Sequence, residues 1–243
     1  MRHPTTATWY RAGLLLLTAA TGTVDAVSYL ALDRVFTGNM TGNVLFIGFA
    51  LVGVAEIPLL NNVVALGGFA LGSVVGGRVV GRGHTPRLPR SGAWVLACGA
   101  ALAVALGVAW RVAGDPEPVA LLVVTALLAA LMGAQVAAVK PIGNADITTV
   151  VVTSTLANLT RESRLAGGRQ PRGAATDRLL AVVAMGAGAA LGAAVIRAAD
   201  GPAALLSASG LLVLGAAALA RGRLVQRAAE RAVQDDGDSG GGR

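Results

Sequence analysis

The sequence predicts an all-α fold, a polytopic membrane helical bundle of six spanning helices plus two short re-entrant or broken helices, arranged as two inverted repeats. Three observations lead there: the apolar bulk of the chain, the placement of its arginines, and two polar segments too short to cross a bilayer. Of 243 residues, 54% are hydrophobic and 14% charged, and the mean hydropathy is +0.66. A soluble domain carries about 25% charged residues. At about 20 residues per spanning helix, the apolar runs leave no length for a separate catalytic domain. Only 4% of residues are aromatic; Ala, Gly, Leu and Val take their place and let helices approach closely in lipid. A single cysteine, Cys98, rules out an internal disulfide or a thiolate metal cluster. The net charge of +7 does not make nucleic acid a partner, because no compact basic domain with interleaved aromatics accompanies it.

Apolar runs bounded by proline, glycine and charge divide the chain into eight segments. A cytoplasmic N-terminus, 1–10, precedes the first run, 11–32, whose Thr21, Thr23, Asp25 and Ser28 argue against a cleaved signal. The second, 39–54, follows directly from the tandem Thr37-Gly38-Asn39-Met40-Thr41-Gly42-Asn43. The third, 59–80, carries a ladder of Gly68, Gly72 and Gly76 with the small-xxx-small spacing of helix packing, and the fourth is 92–112. The fifth, 118–139, contains Gln135. The sixth, 147–159, is rich in hydroxyls through Thr148, Thr149, Thr153, Ser154 and Thr155. Asp146 just before it is expected to cap it. The seventh, 177–198, holds Gly188 and Gly192, and the eighth is 203–220. The tail, 221–243, reads as a short basic interfacial helix from Arg221 to Val233 followed by a disordered end.

The arginines decide how many segments cross. Four clusters, at Arg2 and Arg11, Arg78 to Arg90, Arg161 to Arg178, and Arg221 to Arg243, hold 16 of the 20 basic residues. Lysine and arginine are retained on the cytoplasmic side during insertion. Were all eight segments to cross, one cluster would always fall outside. If the second and sixth enter and leave on one side, every cluster and Lys140 lie in the cytoplasm, leaving Arg34, Arg111 and Arg197 opposite. Irregular backbone at membrane depth is tolerated only against protein or a water-filled cavity, so the short segments are expected to line an interior. Tilted or interfacial helices are the alternative.

The second half, 113–220, echoes the first, 11–112. Met40-Thr41-Gly42-Asn43-Val44 aligns with Val152-Thr153-Ser154-Thr155-Leu156, and Gly68-Phe69-Ala70-Leu71-Gly72 with Gly188-Ala189-Ala190-Leu191-Gly192. Cys98-Gly99-Ala100 aligns with Ser209-Gly210-Leu211. Three crossings per half make the copies inverted, an architecture that places transporter sites between the copies. Chance matching in a Gly- and Ala-rich chain is the bland alternative.

The candidate site residues are Asp25, Asn39, Thr41, Gly42, Asn43, Gln135, Thr153 and Thr155. An intramembrane carboxylate is costly and faces a cavity, a partner or a proton path, which makes Asp25 a candidate for proton coupling. A structural hydrogen bond to a helix end is the competing reading. On a helix, Asn39 and Asn43 share one stripe and Gly38 and Gly42 another. A half-helix starting there offers free N–H groups to an anion or a carbonyl, unless Asn39 simply caps it. Gln135 is the approximate counterpart of Asp25 in the second half. His3 and His84 have no second ligand at metal spacing, no nucleophile–base pair is visible, and neither a cofactor nor an enzymatic activity is expected.

The run Gly22-Thr23-Val24-Asp25-Ala26-Val27-Ser28-Tyr29-Leu30, with Phe36 and Met40-Thr41-Gly42-Asn43, resembles the start of the YoaK family, also called the domain-of-unknown-function 1275 family, of bacterial multi-pass membrane proteins. Gly133-Ala134-Gln135 and Thr148-Thr149-Val150-Val151-Val152-Thr153 are similar to its second half, with Ser154 where a glycine is expected. The resemblance implies an integral inner-membrane protein and carries no substrate. The expected function is that of a transporter or permease for a small solute, its partners being the lipid bilayer, that solute and coupling protons, with a homo-oligomer allowed. A passive channel and a non-transporting scaffold or sensor are the alternatives.

Overall fold

The computed structural model describes residues 5–54, 56–81, 87–143, 152–162, 167 and 172–240, with only the backbone described at 172, 233 and 235–240. Asp146, Thr148, Thr149, His3 and His84 lie outside the described residues. The described chain is all-helical, in the order α1 (Thr6–Leu30), α2 (Met40–Leu51), α3 (Leu59–Val80), α4 (Arg90–Ala113), α5 (Pro118–Val139), α6 (Val152–Arg161), α7 (Arg172–Ala198) and α8 (Gly201–Gly240). Six of these, all but α2 and α6, are long and apolar enough to cross a membrane.

The element ends follow local chemistry. Thr5 begins α1, its hydroxyl accepting from the Thr8 amide at 3.4 Å. α3 and α4 stop at Gly81 and Gly114, which take the positive φ of 76° and 82° that favours glycine. Asp200 caps α8, its Oδ1 accepting from the Ala203 amide at 2.9 Å. That bond and the Arg111 guanidinium, which pairs with the other oxygen, hold the Asp200 carboxyl below its ordinary pKa. The short basic helix and disordered end expected after Arg221 are replaced by a continuation of α8 through Gly240. No proline interrupts this stretch, and tertiary bonds hold its first turns: Tyr10 to Gln226 at 2.9 Å and Arg87 to Glu230 at 3.6 Å.

α1 is the most buried span, packed between α7 and α8. α3 lies along α5, and α4 bridges α5 and α8, while α2 rests on α3 and α6 on α7. Glycine makes the two parallel contacts close. Gly72 faces the backbone of Ala130, and Gly76 that of Ala134; Gly188 faces Ala19, and Gly192 faces Thr23 and Ala26. Thr23 adds a hydrogen bond to the Gly188 carbonyl at 2.8 Å, and Ser73 one to the Gly133 carbonyl at 3.2 Å.

The ends of the spans sort into two groups. Arg11 pairs with Asp177 at 2.5 Å and Arg178 with Glu162 at 2.6 Å at one end, where the Arg87–Glu230 pair also lies. At the other end are the Arg111–Asp200 pair and the bond from Asn61 to Asp33. The same division separates the arginine clusters from the acidic loops.

Candidate functional site

Asp25 sits in the buried stretch of α1, less than two turns from the helix end at Leu30. After Ala31 the chain turns back into the bundle through Arg34, which adopts a positive φ of 54°, and through the buried residues Val35, Thr37 and Gly38. Asp25 Oδ1 accepts from the amides of Thr37 at 3.0 Å and Gly38 at 2.7 Å. Asn43 completes the set: its Oδ1 accepts from the Phe36 amide at 2.9 Å, and its Nδ2 donates to the Phe36 carbonyl at 2.5 Å. Three successive amides ahead of α2 are thus satisfied by two buried side chains, as backbone at membrane depth requires.

Gly38 is needed for this approach. A Cβ there would lie 2.7 Å from the Thr21 methyl and 3.3 Å from both Asp25 carboxylate oxygens. Thr21 donates to the Leu17 carbonyl at 3.0 Å and accepts from Gln135 Nε2 at 3.1 Å. Asp25, Gly38, Thr21 and Gln135 therefore form one contiguous row running from α1 and its loop to α5. Gln135 Oε1 is buried with no partner among the described residues. Beside it lies a cavity of about 10 Å³, lined by Leu17, Leu96, Leu131 and Leu212 among others, room for about one water molecule.

Asp25 is itself the anion bound just ahead of α2, on the Thr37 and Gly38 amides of the turn. The two asparagines do not share a stripe. α2 begins at Met40, so Asn39 stands at its cap position, exposed and without a capping side-chain bond, while Asn43 is buried. Gly42 packs on the Phe36 ring rather than on a neighbouring backbone. Thr41 is exposed. α2 does not line an interior; Asn43 is its one buried residue, while Val44, Leu45, Phe49 and Leu51 are exposed. Its inner edge is held by stacking of Tyr29 and Phe36 (ring centroids 5.0 Å apart) and of Phe36 and Phe46 (6.0 Å).

On α6, Thr155 is buried and Thr153 exposed. Of the eight expected site residues, the structure gathers Asp25, Asn43 and Gln135 around the 36–38 turn and Thr21, with Gly42 at its edge. Thr21, Phe36 and Gly38 were not singled out by chemistry-bearing side chains, since they contribute a hydroxyl already bonded to its own helix, an aromatic wall and bare backbone. The signal for Gly38 was its place in the tandem repeat. Among the described residues no group of three His, Cys, Asp or Glu side chains could hold a metal ion.

Two comparisons match this chain with known proteins. The sequence model of the family described as "Protein of unknown function (DUF1275)" matches residues 13–218. The UPF0700 transmembrane protein YoaK of Bacillus subtilis (strain 168) is 33% identical over 183 residues, covering 74% of this chain and 80% of that protein. No solved structure matches. The family match extends from the second turn of α1 to the middle of α8, reaching into all six spans and including the Asp25 row, and the chain belongs to the DUF1275 family of transmembrane proteins.

Proposed function

We propose that the protein is a proton-coupled transporter or permease for a small solute in the bacterial inner membrane, with both termini cytoplasmic and its site between two inverted halves. The observation that carries this reading is the polar row of Asp25, Gly38, Thr21 and Gln135, buried where the two halves meet. The contacts of the halves correspond at fixed offsets, which supports the inversion. Gly22 abuts the Met185 carbonyl and the Ala189 amide, as Gly133 abuts the Phe69 carbonyl and the Ser73 amide. Gly188 meets Ala19 as Gly72 meets Ala130, and Gly192 meets Thr23 as Gly76 meets Ala134. These correspondences move the third helix of each half by one turn from the alignment of Gly68 with Gly188: Gly72 is the partner of Gly188. They also set Asp25 opposite Val136, so the carboxylate has no second copy.

In this reading, protonation of Asp25 weakens its hold on the Thr37 and Gly38 amides, because a neutral carboxyl accepts less strongly than a carboxylate. The 36–38 turn can then leave the Thr21–Gln135 contact and open a path to it. Asn43 keeps the turn attached to α2, so the two move together. The test is made with the full-length protein in liposomes enclosing a pH-sensitive dye, challenged in turn with amino acids, sugars, carboxylates and nucleobases. Wild type acidifies the lumen with one of these classes, and Asp25→Asn abolishes the proton movement while leaving solute exchange. Proton movement that survives in Asp25→Asn sinks the coupling role.

A second reading, a non-transporting scaffold or sensor, is favoured by the internal satisfaction of Asp25 and Asn43 and by the small size of the cavity beside Gln135. It is the reading that stands if no solute class produces flux with wild type.

A further inference from the structure

We propose that Arg87, Arg90, Arg223 and Arg227 form a binding site for the phosphate headgroup of an anionic phospholipid, with Trp94 and Leu224 against its apolar part. The site depends on the membrane setting and not on transport. Tyr10 assembles it. The Leu88 amide donates to the Tyr10 hydroxyl at 3.3 Å, and that hydroxyl donates to Gln226 Oε1 at 2.9 Å. The first bond draws in the segment leading to α4, with Arg87 and Arg90 on either side of Leu88. The second draws in the turn of α8 that carries Arg223 and Arg227. Arg223 lies within electrostatic reach of Arg227, Arg90 and Arg87.

Among the side chains described, these four guanidinium groups meet one carboxylate, Glu230, 3.6 Å from Arg87. The other acids at this end whose side chains are described, Asp177 and Glu162, are engaged by Arg11 and Arg178. Gathering like charges is unfavourable, and a bound anion relieves it. A guanidinium fork matches phosphate oxygens in geometry as well as charge.

Depth selects lipid over free phosphate. Trp94 follows Arg90 by one turn on the same face of α4 and is 62% exposed. An exposed tryptophan one turn inside the end of a span stands at the level of the lipid headgroups. Leu224, also exposed, adjoins Arg223 on α8. An inorganic ion would use the arginines alone; a phospholipid also covers exposed apolar side chains such as Trp94.

The full-length protein in detergent is titrated with phosphatidylglycerol, phosphatidylcholine or inorganic phosphate, with bound lipid read by native mass spectrometry. Wild type prefers phosphatidylglycerol over phosphatidylcholine by on the order of a hundredfold, about fivefold for each of about three arginines near the headgroup. R90Q/R223Q/R227Q loses the preference, whereas R90K/R223K/R227K, which keeps the charge, retains most of it. R197Q, at the opposite end, leaves it unchanged. The proposal is overturned by an undiminished preference in the glutamine triple variant, by an equal loss in R197Q, or by inorganic phosphate displacing the lipid at matched concentration. Where the triple variant fails to fold, the exposed single variants R90Q and R227Q carry the same comparison, each with a partial loss expected and no loss overturning the site.

Discussion

Among single residues, glycines divide sharply by what stands beside them, although helix propensity treats them alike. Gly72 and Gly188 face the backbone of Ala130 and Ala19, and a methyl group at either would overlap it. Gly67 and Gly77 face open space. Replacement by alanine at Gly67 or Gly77 should stabilise by up to about 1 kcal/mol, the usual helix-interior gain. The same replacement at Gly72 or Gly188 should destabilise by roughly 1–3 kcal/mol, since backbone must separate to admit it. Thermal melts of the detergent-solubilised protein measure both, and an equal response at all four positions would refute the packing assignment. The small-xxx-small spacing of Gly68, Gly72 and Gly76 was legible in the sequence; which neighbour each touches was not. Asp25 is similar. Its cost in an apolar run was evident from composition, but its partners lie on the Thr37 and Gly38 backbone, which has no side-chain signature.

Of the elements, α2 is where hydropathy and geometry part. Its sequence is apolar on nearly every side, so a polar stripe facing a cavity could not form; the helix instead offers Asn43 to the Phe36 backbone and exposes the rest. The short length did announce that it would not span, and the bond from Asn61 to Asp33 joins the two segments that flank it. In a Cys98→Ala background, Arg34→Cys and Val52→Cys should react with an impermeant maleimide from the same side, and Lys140→Cys from the opposite side. Labelling of Arg34→Cys and Val52→Cys from opposite sides would mean that α2 crosses. α8 errs in the other direction: its apolar part ends near Ala220, yet the helix continues because Tyr10 and Arg87 reach it through Gln226 and Glu230. Contacts of such long sequence separation leave no trace in local periodicity.

For the whole molecule, the two halves are interlocked rather than side by side. α1 of the first half packs chiefly on α7 and α8 of the second, and α3 of the first on α5 of the second. A chain cut in the 114–117 loop should therefore yield fragments that are each degraded when expressed alone and that co-purify when expressed together. Two fragments that each fold in isolation would contradict the interlocking. The sequence by itself determined the class and the six spans. Those properties come from how each segment partitions between water and lipid, which is a sum over its own residues. Only the tertiary structure decided that Asp25 closes on the 37–38 turn, that Thr21 and Gln135 join the halves, and that four arginines share one end of α4 and α8. Such encounters are set by glycine-to-backbone distances between helices far apart in the chain, and neither composition nor periodicity records them.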